Sequence, residues 1–226
     1  MDEVRPTVMT RMFIDLWNIV TFERLFGPFK LRFDERATSD ARVPFEKFPF
    51  SLLAEKARAL IGVVDYEVCY AYCLVPKKPP SGNERLEFNS KLRFLEDSLR
   101  YQLRVNTELT TYPQKDVDAL MVNKLWNVAL EIINEGIARR EIRKRVLNIV
   151  LVSGDGIFMK VLSTMQERLV DYLDIRLYVF AWKGHASQIY EAALLKGSIE
   201  ECIMLDDFIG GVGFNADDLK NETTAV

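Results

Sequence analysis

Histidine is almost absent from this chain: His185 is the only one in 226 residues. Cysteine is scarce as well, at three. Cys69 and Cys73 lie four apart, but no other Cys or His clusters near them, so a zinc site would have to be assembled from leftovers. An odd, low cysteine count argues against a disulfide framework and fits a reducing compartment, so a cytoplasmic location is expected. No apolar run approaches the roughly 18–20 residues of a membrane span, and no membrane association is expected. The start, Met1-Asp2-Glu3-Val4-Arg5-Pro6, lacks a basic segment leading into an apolar one, so no secretory leader is expected. Excess charge of one sign is missing too. Thirty basic against 33 acidic residues leave a net charge of −3. That excludes a whole-surface nucleic-acid footprint but allows a local basic patch.

What is present is an ordinary globular composition, 49% hydrophobic and 28% charged, in a length that suits one large domain. Two stretches read as inserted loops punctuated by Pro and Gly, about 26–50 and about 76–83. A polar tail follows from about residue 215. Between them, strand and helix patterns alternate. Strands are expected at Met12–Ile14, Tyr66–Val75, Val105–Thr111, Val146–Val152, Ile175–Ala181 and Cys202–Leu205. Helices are expected at Ser51–Gly62, Glu84–Leu103, Val117 to about Ile137, Ile157–Val170 and Ser187–Lys196. The alternation predicts one α/β domain over residues 1–226, with a mainly parallel sheet and helices on both faces.

In such sheets ligands gather at the carboxyl ends of the strands, where the winding direction reverses. Three acidic segments fall at strand-to-helix junctions: Asp15-Leu16-Trp17-Asn18, Lys115-Asp116-Val117-Asp118 and Ser153-Gly154-Asp155-Gly156. If the first and fourth strands are neighbours, Asp15 and Asp155 converge. Carboxylates with no His or Cys nearby suit a hard, oxygen-preferring cation, Mg²⁺ or Mn²⁺. Such an ion relieves their repulsion and can activate water for attack on a phosphodiester. An Asp at a strand end is also commonly an N-cap, and for Asp155, Asp116 and Asp118 that role stands beside the other. Asp15 follows an apolar strand directly and is less easily explained by capping.

These segments, in this order, resemble the motifs of the NYN domain, a branch of the PIN-like metal-dependent ribonucleases that includes the LabA-like proteins. There the first strand ends in Asp-Gly-x-Asn, the middle motif is Lys-Gly-Val-Asp, and the fourth strand ends in Ser-Gly-Asp-x-Asp-Phe. The likeness spans about residues 11–209. It implies a three-layer PIN-like fold, with Asp15, Asp118 and Asp155 as metal ligands. Asn18 and Ser153 would support the site, and Lys115 would meet phosphate. The chain departs from the pattern at Leu16 and Asp116, where Gly is usual. Lys124 and Ile157 stand where many members carry further acids. Three core acids are kept and two accessory ones are lost.

The resemblance implies an Mg²⁺- or Mn²⁺-dependent ribonuclease, a hydrolase of RNA phosphodiester bonds. The lost acids keep a second reading in view, a weakened or inactive module that binds RNA or a protein partner. Neither reading decides whether the chain forms a homo-oligomer. Trp17 can stack a base or pack in the core. The run Arg139-Arg140-Glu141-Ile142-Arg143-Lys144-Arg145 can track phosphates, with Arg143 and Lys144 as RNA contacts, or form a solvated helix end. Lys77-Lys78 in the second loop poses the same choice. His185, alone in a loop, is not needed by a metal-activated water.

Overall fold

The computed structural model describes residues 7–26, 43–62, 68–75, 81–113, 117–141, 144–183 and 186–209. Its chain opens with β1 (Val8–Asp15), a short turn of helix α1 (Leu16–Ile19), β2 (Val20–Thr21) and a second short turn α2 (Glu23–Phe26). Next come β3 (Val43–Pro44), a 3₁₀ turn over Phe45–Lys47, and α3 (Phe50–Ile61). The remainder alternates: β4 (Val68–Val75), α4 (Asn83–Leu103), β5 (Asn106–Pro113), α5 (Val117–Ala138), β6 (Arg145–Val152), α6 (Ile157–Leu169), β7 (Leu173–Ala181), α7 (Gln188–Leu195), β8 (Glu201–Met204) and the short α8 (Asp206–Ile209).

Six strands form one sheet in the order β5-β4-β1-β6-β7-β8, with every neighbouring pair parallel. The expected first and fourth strands, β1 and β6, are therefore neighbours. The order runs outward in both directions from that pair, so the winding reverses between them. All eight residues of β6 are buried, as expected for a central strand covered on both faces.

Alternation along β1 divides the interior in two. Met12 and Ile14 point to one face, where they meet α3, α4 and the segment 43–50. Met9 and Phe13 point to the other, under α5, α6 and α7. The result is a three-layer α/β fold, consistent with the PIN-like arrangement that the resemblance implies.

One expectation is corrected. The stretch 26–50 reads as an inserted loop, yet its described end, from residue 43, is core. Val43–Pro44 pairs with Val20–Thr21, and Phe45, Phe48 and Phe50 are all 1% exposed or less. Their rings pack at tilted angles against each other and reach Phe22 and Trp182. Pro44 and Pro49 prevent a continuous helix or central strand there, so the segment buries its aromatics from a tight turn instead. Residues 27–42, 76–80 and 210–226 lie outside the described residues, as do the middle of the first loop, most of the second and the polar tail. Phe48→Ala is expected to cost about 3–5 kcal/mol of stability by cavity formation. Chemical denaturation checks this; a loss below about 1 kcal/mol would return the segment to the status of a surface loop.

Candidate functional site

Asp15 is the last residue of β1 and falls on the same side of the sheet as Phe13, facing α5. Ser153 follows β6 directly, and by the same alternation it shares that side. Parallel pairing brings Ile14 level with Val152, so Asp15 and Ser153 stand side by side. The Ser153 hydroxyl donates to Asp15 Oδ2 at 3.3 Å, and Asn18 Nδ2 donates to the same oxygen from α1. Ser153 Oγ in turn accepts from the Asp155 backbone N–H at 3.2 Å. One hydroxyl thus links two of the acids.

Asp155 is not the N-cap of α6, a position held by Gly156, but its side chain closes the turn just before it. Its Oδ1 accepts from Ile157 N–H at 2.9 Å at the start of α6, an Asx-type turn. Asp118 lies in the first turn of α5, where the helix dipole favours a carboxylate. Electrostatics tie the three acids together. Burial pushes the Asp15 carboxyl up to about 6, and the charge of Asp118 adds to the rise. Asp118 is also raised, first by burial and then by the charge of Asp155.

A cation-binding role must be judged on the donor set. The donors are hard carboxylate oxygens, burial and neighbouring negative charge both disfavour ionisation of Asp15 and Asp118, and a divalent ion would offset both. Asp15 is the fixed member, 2% exposed and held by two donors. Asp118 and Asp155 are only partly buried. As placed, no three Asp, Glu, His or Cys side chains among the described residues stand close enough to ligate one ion. The chemistry fits a divalent cation, but the three carboxylates have not closed on a single point.

The other sequence candidates fall elsewhere. Lys115 and Arg143, with Asp116, His185 and Lys77-Lys78, lie outside the described residues. Lys144 precedes β6 and so sits at the amino end of the sheet, opposite the acids. The length of β6 separates them by roughly 25 Å. Lys144 Nζ donates to the Val170 carbonyl. Its neighbour Arg145 is 3% exposed and is grasped bidentately by Glu141, at 2.7 and 2.8 Å. It also bonds Glu135 at 3.2 Å and the Ile132 carbonyl at 3.3 Å. The basic run therefore anchors a helix end in part, and its described members are not brought to the acidic end.

Lys124, at the position of an expected acid, bridges Glu108 on β5 at 3.4 Å and lies 4.4 Å from the ring centre of Tyr70. Ile157, at the other, is 45% exposed beside Asp155. Trp17 packs against Phe22 with nearly parallel rings.

Sequence reasoning gave Ser187 only as the opening of a helix and gave Tyr190 no role, yet both touch the turn that carries Asp155. Ser187 N–H donates to the Gly154 carbonyl at 3.1 Å, and the Tyr190 hydroxyl donates to the Asp155 carbonyl. Tyr190 is also level with neither strand in sequence, so only the fold reveals the contact.

No family model and no curated protein matches the chain. Among solved structures it is similar to a protein of unknown function from Vibrio parahaemolyticus. The identity is 15%, the match covers 92% of this chain and 98% of that one, and the TM-score is 0.46.

The buried acid gives a test that needs no substrate. A carboxyl raised in the folded state favours protonation there, so stability falls as pH rises from its unfolded value through about 6. Above that the penalty is complete, up to about 3 kcal/mol at 1.36 per pKa step. Asp15→Asn is expected to raise the thermal midpoint of the metal-free protein at pH 7.5. The gain should shrink as pH falls through 6 and vanish near pH 4. A variant less stable than wild type at pH 7.5 would contradict the account of Asp15 as a strained acid.

Proposed function

We propose that this chain is a ribonuclease of the PIN-like, NYN type, dependent on Mg²⁺ or Mn²⁺. The observation that carries the reading is the meeting of Asp15 with Ser153 at the reversal point of the sheet, with Asp118 coupled by charge to Asp15 and Asp155 to Asp118. Asp15, Asp118 and Asp155 would hold the ion. Asn18 and Ser153 fix the Asp15 carboxyl by donating to its Oδ2, so its orientation is set before any ligand arrives. When bound, the ion orients and acidifies a water and neutralises charge developing on the phosphate. Asp118 and Asp155, on the first turn of α5 and the approach to α6, stand nearer solvent than Asp15 and face an incoming backbone. Lys115, three residues before Asp118, is assigned to phosphate by the resemblance alone.

A second reading has its own support. Lys124 is engaged by Glu108 and Tyr70, and Ile157 offers a methyl surface where an acid would add a ligand. Both facts favour a module that binds RNA without cutting it, or cuts it slowly.

Incubation of a mixed-structure RNA pool with the protein and Mn²⁺ separates the two. Cleavage that EDTA abolishes and that Asp15→Asn reduces at least a hundredfold is the expected result. RNA retained intact by a protein that binds it would instead favour the binding module.

A further inference from the structure

The turn 153–156 carries two of the five site residues. Ser153, its first residue, is tied to Asp15 Oδ2 at 3.3 Å and to the Phe180 carbonyl at 3.1 Å, and the rest of the turn is held by α7. Ser187, the N-cap of that helix, accepts from Ile189 N–H through its hydroxyl and donates its own N–H to the Gly154 carbonyl at 3.1 Å. One turn on, Tyr190 is fully buried and donates its hydroxyl to the Asp155 carbonyl. Gly156 closes the contact from the other side. A Cβ there would stand 2.5 Å from Ser187 Oγ and 2.9 Å from Ser187 Cβ. Its backbone, at φ −68° and ψ −9°, is one that any residue adopts, so closeness to α7 and not backbone freedom is what calls for glycine. The Tyr190 hydroxyl also lies within electrostatic reach of the Asp155 and Asp15 carboxylates.

We infer that Tyr190 is a positioning residue for the divalent-cation site: through the Asp155 carbonyl it sets the turn that aims Ser153 and Asp155 at Asp15. The inference rests on the cation reading above. Tyr190 touches neither ion nor substrate. It acts through main chain, as hydrogen-bonded supports behind ligands commonly do, and their loss typically weakens metal binding 10- to 100-fold.

The test compares Tyr190→Phe with Gln166→Ala. The first removes one hydroxyl and keeps the ring. The second removes a side chain that ties Ile175 and Ser198 together through their carbonyls, at 3.0 and 3.1 Å, away from the turn. Two quantities are read: Mn²⁺ affinity, from the spin-resonance signal of free Mn²⁺, and amide exchange at Asp155 and Ile157. In Tyr190→Phe, Mn²⁺ binding is expected to weaken about tenfold or more, with faster exchange at both amides. Gln166→Ala should lose stability and keep wild-type Mn²⁺ affinity. Equal Mn²⁺ affinity in wild type and Tyr190→Phe would overturn the positioning role and leave the cation site standing. A wild-type protein that binds no Mn²⁺ would overturn the cation reading and Tyr190's part in it together. Should Tyr190→Phe fail to fold, Gly156→Ala decides, since it pushes α7 from the turn by contact alone. Wild-type Mn²⁺ affinity in that variant would also overturn the inference.

Discussion

A carboxylate at the buried end of a central strand loses most of its water, and that loss organises the candidate site. Asp15 ends a strand whose preceding residues Met12, Phe13 and Ile14 are completely buried. Desolvation disfavours its charge. Two responses surround it. Asn18 and Ser153 supply hydrogen bonds to Oδ2, which favour the ionised form. Asp118 does the opposite, bringing further negative charge close by, and Asp155 does the same to Asp118. A fold selected only for stability has no use for that combination, because each added acid makes its neighbour harder to ionise. A bound divalent cation, the ion proposed above, would reverse the sign of the problem and let the same three acids cooperate.

The architecture delivers this arrangement from simple rules. Parallel β1 and β6 place their carboxyl ends together, and the alternation of side chains sends Asp15 and Ser153 to one face. The helices on that face are α5, α6 and α7, and each contributes at its amino end or first turns. α5 brings Asp118, α6 begins at the turn that Asp155 closes onto Ile157 N–H, and α7 grips the turn between β6 and α6. The opposite face carries no site acid. It is filled by α3, α4 and the aromatic cluster of Phe22, Phe45, Phe48, Phe50 and Trp182. Trp182 joins that cluster to the site by donating Nε1–H to the Ile19 carbonyl at 3.0 Å, just past Asn18.

Much of this was readable in the sequence because it rests on local pattern and strand order. The β-branched run before Val152 and the apolar stripe after Val117 match β6 and α5 closely. The neighbour relation of β1 and β6 stood in the sequence only as a condition, which the strand order meets. The aromatic turn did not show, since Phe45, Phe48 and Phe50 follow neither a period of two nor of 3.6, and the flanking prolines point to a loop. Tyr190 did not show because its partner lies 35 residues away in sequence. The distance of Lys144 from the acids, by contrast, was available. A residue just before a parallel strand belongs to the amino end of the sheet, away from residues that follow such strands.

The claim on which all of this turns is that Asp15, Asp118 and Asp155 share one divalent cation. Crystals grown with Mn²⁺ and measured for its anomalous scattering test it directly. The account predicts one peak within about 2–2.5 Å of an Asp15 oxygen, with Asp118 and Asp155 drawn toward it. No peak at that strand end, or a peak held elsewhere by other residues, would contradict it.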